Sequence, residues 1–427
     1  MNAGFVFRSV LALLFSTLIA TFALQHGALQ QESALRTAAD LGASVGGPVI
    51  AAPSAPRPPK RAGTKAEPTP APVVLKPADP FAAFPSVPGH IIYVGTDHNL
   101  YFVTGKSRAT ELTRDGIYTA PALSPDGSRL AYVVLSRNAS DIVTTQVSYD
   151  KYGSLVVAPP TQLTQDASPP PKLQTVTPDP TLYDPRYQWF ATKPAWTPDG
   201  SHLLYQSDRP GFDPNNTEAT DMSLWEQGLT GTITDAVRLT TPQNVGTGGA
   251  DGAAWRPNDP AVYLYVDYFH GSALPDGQGR IATQMAMTMT QPSDDPIDLT
   301  PHGATEFQPA WSPDGHYIAF AENKRGGRSD LKIMAFHRPG RPLDYYKAIT
   351  IARGSPYIAQ PFWSPDRRWL GYLANTSVGG GFSLYLRRVS VVGGVPRFGP
   401  AVSILQAGTV GQAGTVGADY RPTWSTR

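Results

Sequence analysis

Cysteine is absent from all 427 positions. That excludes disulfides, thiolate metal centres, cysteine nucleophiles and an acylated lipoprotein cysteine. Charge is also scarce: 16% of residues are Asp, Glu, Lys or Arg, against about 25% in an average domain. The 35 basic and 34 acidic side chains leave a formal net charge of +1. No basic excess points to nucleic acid, and no acidic block forms a solvating tail. Helical bundles and coiled coils are disfavoured, because 43 prolines and 40 glycines fill about a fifth of the chain, well above average usage of about 12%. What the chain does have is turn chemistry and, at 10% Phe, Trp and Tyr, aromatic bulk for a sizeable core.

The apolar run Ser9–Leu24 (SVLALLFSTLIATFAL) is sixteen residues long, uncharged, and follows Arg8. A spanning helix needs about 17–25 residues, so residues 1–24 are expected to be a signal peptide or a short membrane anchor, oriented N-in and C-out. Thr21-Phe22-Ala23 is a mediocre cleavage site, which favours retention. Residues 25–47 read as a short helical or extended segment. Between 48 and 88, 12 of 41 residues are proline. Such a stretch builds no core and acts as an extended spacer of on the order of 100 Å. Its Lys60, Arg61 and Lys65 suit anionic lipid or wall polymer, although a solvated linker is the plainer reading.

The rest of the chain repeats. PAWSPDGHYIAF at 309–320 is the clearest copy, followed by PAWTPDGSHLLY at 194–205, PALSPDGSRLAY at 121–132 and PFWSPDRRWLGY at 361–372. AAWRPNDP at 253–260 is degenerate, and PTWS at 422–425 is cut off by the end of the chain. Ser-Pro-Asp-Gly suits a type I turn, with Ser first, Pro second and Gly fourth. Asp126, Asp199, Asp314 and Asp366 recur with that turn as structural residues. Trp196, Trp255, Trp311, Trp363 and Trp424 hold the motif position, five of the eight tryptophans, as wedges between neighbouring sheets. The run after each turn is apolar at successive positions, which predicts a strand buried on both faces. Segments such as Ser223-Leu224-Trp225 and Val237–Thr240 supply third and fourth strands. Four strands at a spacing of 52–73 residues predict propeller blades. His90–Val94 has no Trp strand before it, and Pro422–Ser425 has no strand after it. The two ends are therefore expected to complete one blade together, giving six: five complete and one shared.

This pattern resembles the TolB-like six-bladed β-propeller family, also called the WD40-like or PD40 repeat, across residues 89–427. The resemblance implies an all-β fold and peptide partners near the propeller mouth. The family's N-terminal α/β domain is replaced here by the hydrophobic segment and proline spacer, a departure from a Tol–Pal role. Prolyl-oligopeptidase relatives share such a propeller, but their hydrolase domain is missing.

Catalytic signatures are few. The chain has no HExxH helix, P-loop or GxGxxG turn, and residues 89–427 contain no GxSxG elbow. His202 and His316 follow blade turns at exposed positions and are not expected to be ligands. The oxygen-rich loop 208–221 has the composition of a calcium loop but matches no known cage; no metal or other cofactor is expected. The aromatic, proline-rich insertion 166–194 either folds back over its own blade, the plainer reading, or offers a partner surface, and 407–417, a tandem of AGTVG, reads as a loop. Propellers bind through their central channel. Lys193, Gln308, Gln360 and Arg421, each three residues before a motif Trp, are expected at the channel mouth, where they could ring it and hold a peptide terminus or carboxylate, although a solvated channel lining is the plainer reading. Gly252 and Ala120 take that position in the other two blades. The leading expectation is a non-enzymatic scaffold or docking module in the periplasm or at the cell surface. It would be held to the membrane by its N-terminal segment and bind an envelope protein or peptide, not nucleic acid. The alternative is a carbohydrate- or peptide-acting enzyme or small-ligand binder, with Asp251, Glu306 and Asp419 as the carboxylates near the pore.

Overall fold

The structure is a computed structural model. It describes residues 89–425 apart from 105–108, 137–138, 152–153, 165–188, 210–221, 231–234, 241–247, 260–261, 271–280, 290–296, 301–305, 325–327, 337–346, 356, 376–379, 394 and 408–414. The expected anchor, helical segment and spacer at 1–24, 25–47 and 48–88 lie outside the described residues. So do most of the 166–194 insertion and the oxygen-rich loop beyond Arg209. Among the described residues no helix is long and apolar enough to cross a membrane.

The fold is an all-β propeller. In chain order, β1 (His90–Val94), β2 (Leu100–Thr104) and β3 (Thr110–Glu111) come first. A second group is β4 (Tyr118–Leu123), β5 (Arg129–Leu135), β6 (Ser140–Tyr149), β7 (Leu155–Val157) and β8 (Thr161–Gln162). Next are β9 (Ala191–Trp196), β10 (His202–Ser207), β11 (Ser223–Gly228) and β12 (Val237–Arg238), then β13 (Gly248–Trp255), β14 (Val262–His270), β15 (Ile281–Met289) and β16 (Ile297–Asp298). The chain continues through β17 (Glu306–Trp311), β18 (Tyr317–Lys324), β19 (Arg328–Ala335) and β20 (Ile349–Ser355). It ends with β21 (Tyr357–Trp363), β22 (Trp369–Asn375), β23 (Ser383–Val392), β24 (Val395–Leu405) and β25 (Thr423–Ser425).

Five sheets are regular four-stranded blades, one of them ordered β25-β1-β2-β3. The remaining sheet has five strands, because β7 and β8 both pair with β6. The uniform four-strand blade read from the repeat therefore holds for five sheets and not for this one. β6 is ten residues long, and Pro159-Pro160 between β7 and β8 supplies no backbone donors. Its outer edge is thus covered in two pieces. The inner strands β4, β9, β13, β17, β21 and β25 each contact the next, and β25 contacts β4. That closes the ring.

Apolar faces of neighbouring sheets make the core. Trp196 packs with Ala131, Val133 and Ile142 of the preceding sheet, and its indole Nε1 donates to Ala122 O at 2.8 Å. Trp311 repeats this bond to Ala254 O at 3.2 Å. These two wedges therefore both fill space and fix the angle to the strand they meet. Arginines from the preceding blade stitch the turns together. Arg129 stacks over Trp196 at 4.8 Å and donates to Gly200 O at 2.6 Å. Arg256 does the same to Gly315 O at 3.1 Å.

Candidate functional site

The turns are built for structure. Ser124 Oγ donates to Asp126 Oδ1 at 2.6 Å, Thr197 to Asp199 at 2.6 Å, Ser312 to Asp314 at 2.5 Å and Ser364 to Asp366 at 2.6 Å. Each aspartate also accepts the backbone N–H two residues on. These donors hold the Asp126 carboxyl far below its ordinary value and Asp199 at about 2. For Asp314 burial acts upward, but the hydrogen bonds led by Ser312 outweigh it and the carboxyl is lowered. Gly127, Gly200 and Gly315 stand at φ of 67–70°, and Arg367 takes the same left-handed place at 63°. His202 and His316 are exposed on these turns. His202 Nδ1 meets Ser201 Oγ at 2.7 Å, and His316 lies 3.5 Å from Asp314.

The inner strands hold the polar ring. Ala120, Lys193, Gly252, Gln308 and Gln360 all have positive φ, between 48° and 60°. At each, the pairing of the inner strand with its neighbour skips residues, which is a β-bulge. In four cases the next residue is proline, which lacks an N–H and loses no ladder bond there. The four non-glycine residues still bear the strain of the left-handed region. A bulge of this kind re-aims a side chain. Arg421, at the matching place before β25, is not among the positive-φ residues.

The re-aimed groups engage one another and the backbone of other blades. Lys193 Nζ pairs with Asp251 Oδ1, which also accepts from Gln206 Nε2 at 2.7 Å. Gln308 Oε1 accepts from Gln360 N at 2.7 Å, and Gln360 Nε2 donates to Ala418 O at 3.1 Å and Asp419 O at 3.0 Å. Arg421 Nη2 donates to Pro309 O at 2.7 Å, from β25's approach to β17, two blades away. Burial pulls its guanidinium down to about 10, and the charge of Asp251 opposes that. Burial raises the Asp419 carboxyl, against the opposing charges of His98 and Lys193.

All four residues expected at the channel mouth thus belong to one polar arrangement. Two of the three expected carboxylates, Asp251 and Asp419, share Lys193 with it. Glu306 is wholly buried and stands opposite Glu322 across β17 and β18. Glu322 is bridged by Lys324 and Lys332 at 2.5 and 2.6 Å. Gln206 and His98 were not expected in the site. Gln206 carried a signal: it is a polar residue directly after the apolar run Leu203-Leu204-Tyr205 of the second strand, and it is 2% exposed. Among the described residues no group of acids and histidines could hold a metal ion.

Ring, repeat and bulged inner strands define the class of this chain as a β-propeller. No protein-family profile and no curated protein matches it. Solved structures similar to it include TolB from Acinetobacter baumannii, with a TM-score of 0.48 and 14% identity over 79% of this chain. This chain covers 66% of that one, just under two thirds of its length. A putative TolB from Agrobacterium tumefaciens has a TM-score of 0.42 and 13% identity, covering 79% of this chain and 94% of its own. Oligogalacturonate lyase from Vibrio parahaemolyticus has a TM-score of 0.38 and 11% identity, covering 71% and 82%.

Proposed function

We propose that this chain is a non-enzymatic, extracytoplasmic six-bladed propeller that binds a protein or peptide of the cell envelope as a docking module. Residues 1–24 tether it to the membrane and residues 48–88 lift it away. The observation that carries the reading is the polar ring on strained bulges. Left-handed non-glycine residues persist only where surrounding structure holds them, and they cluster at ligand clamps. Lys193 and Arg421 are cations whose partners are a carboxylate and a backbone carbonyl. A peptide terminus can replace those partners group for group. In vivo crosslinking of the full chain, followed by mass spectrometry, tests this. One dominant envelope protein is expected, and Lys193→Ala with Arg421→Ala should abolish its capture. Undiminished capture by that double variant sinks the channel as the binding site.

A second reading has its own observation. Asp419 is pushed upward by burial while Asp251 is ion-paired to Lys193. A buried carboxyl raised in this way suits general-acid work on a glycan or peptide. Turnover of a glycan or peptide panel that disappears in Asp419→Asn would put this reading first.

A further inference from the structure

The outermost hairpin of one blade extends past its own sheet. β22 and β23 pair from Ala374↔Ser383 to Trp369↔Arg388 and stop there. β23 and β24 continue through Val389↔Phe398, Ser390↔Arg397, Val391↔Pro396 and Val392↔Val395. The tip carries Val391 and Val392, each 62% exposed, and Val395 at 40%. These are three of the six large hydrophobic residues that stand exposed among the described residues. Single exposed valines need no explanation, but three at the end of a projecting hairpin do.

Charge along the sequence that carries the tip has one sign. From 367 to 418 the chain contains five arginines and no Lys, Asp or Glu, although the whole chain is nearly neutral. Arg388 and Arg397 are exposed on the hairpin, and Arg367 and Arg368 are exposed on the turn at its base. The base is held to that turn by Val389 N donating to Arg368 O at 2.7 Å. The turns themselves carry acids: Asp366, which caps its own turn, and Asp314, 3.3 Å from Arg367.

We propose that the β23–β24 tip docks onto an anionic lipid bilayer. Apolar groups lead and cations follow. Arg397 is two residues behind Val395 and Arg388 four behind Val392, about 7 and 13 Å at strand rise. A surface-bound element buries its apolar part about 5–10 Å deep. The valines then reach the acyl boundary while the arginines lie at phosphate depth. A soluble polyanion would use the arginines and leave the valines without a role.

The chain's own path agrees. β1 starts at His90, opposite Ser425. A Cβ on turn residue Gly127 would lie 3.2 Å from Ser425 Oγ, so β1 begins at the turn end of the ring. The hairpin base rests on a turn at the same end. This orientation rests on the proposed tether; the valine and arginine pattern does not.

Because the chain has no cysteine, Val392→Cys creates a single thiol for an environment-sensitive fluorophore. Val237→Cys, on an exposed residue of another blade, is the control, and melting temperatures matching the parent establish folding. The full chain is floated with vesicles of phosphatidylglycerol and phosphatidylcholine, or of phosphatidylcholine alone. The 392 probe is expected to shift to the blue and be quenched by nitroxide lipid in the anionic vesicles only, with the 237 probe unchanged. Arg388→Glu with Arg397→Glu should lower the ratio of inserted to free tip about tenfold or more. Flotation with both vesicles while the 392 probe stays water-like overturns docking and leaves the tether standing. Flotation and shift with anionic vesicles alone keep docking and remove the tether. An equal shift in neutral vesicles, or one produced by heparin without vesicles, overturns the inference.

Discussion

A single methyl group tests how tightly the wedges are set. Gly371 in β22 lies under the Phe362 ring, and a Cβ there would come 2.2 Å from Phe362 Cζ. Phe362 is 3% exposed and packs 6.0 Å from Trp424, so its ring has little room to retreat. Gly371→Ala should therefore overpack the core and cost about 1–3 kcal/mol. Urea unfolding should show a lower midpoint at an unchanged slope; an unchanged midpoint would mean that the ring moves freely. At this scale the sequence was partly readable. Counting three residues back from each motif Trp, and from Leu123, lands on the five bulged inner-strand positions and on Arg421, because the repeat fixes its own geometry. It did not find what those side chains bond. Arg421 and Pro309 are 112 positions apart, and only ring closure brings such pairs together.

Elements were easier to read than their edges. The apolar runs after each turn became β5, β10, β18 and β22, buried on both faces. The split outer edge of β6 was missed, since two-residue strands such as β8 carry almost no pattern of their own. Burial at the end of one such run has a measurable consequence. Asp208, just past β10, accepts the Phe190 N–H at 2.7 Å. Burial pushes its carboxyl up to about 7, against the pull of that bond. An unfolded aspartate titrates near about 3.9. Between those values the folded chain binds more protons than the unfolded one, so this group's contribution to stability falls as pH rises from about 4 through 7. Asp208→Asn keeps an acceptor for Phe190 and removes the titration. Its stability, followed by urea midpoint, should decline less than the parent's across that window. Parallel declines would place the pH dependence elsewhere.

For the whole molecule, closure is the decisive feature, and it was legible because the two chain ends carry complementary halves of one repeat. β25 is three residues long, yet it pairs with β1 through His90↔Ser425, Ile91↔Trp424 and Ile92↔Thr423. Trp424 is 6% exposed in a cluster with Ile91, Tyr93, Phe362 and Trp369, which belong to the two sheets at the seam. Removing its ring should cost about 3–5 kcal/mol, the usual range for a buried tryptophan. Trp363 holds the same motif position but is only half-buried, so Trp363→Ala should cost less. Ending the chain at Pro422 goes further, because it removes the wedge and also bares the inner edge of β1, whose five residues are all buried. An open strand edge beside lost core packing invites pairing with another chain. The truncated protein should lose its single sharp urea transition and elute as higher-order species on size-exclusion chromatography, whereas Trp424→Ala remains monodisperse and merely weaker. A truncated chain that unfolds like Trp424→Ala would show that the indole, not the strand, holds the ring shut.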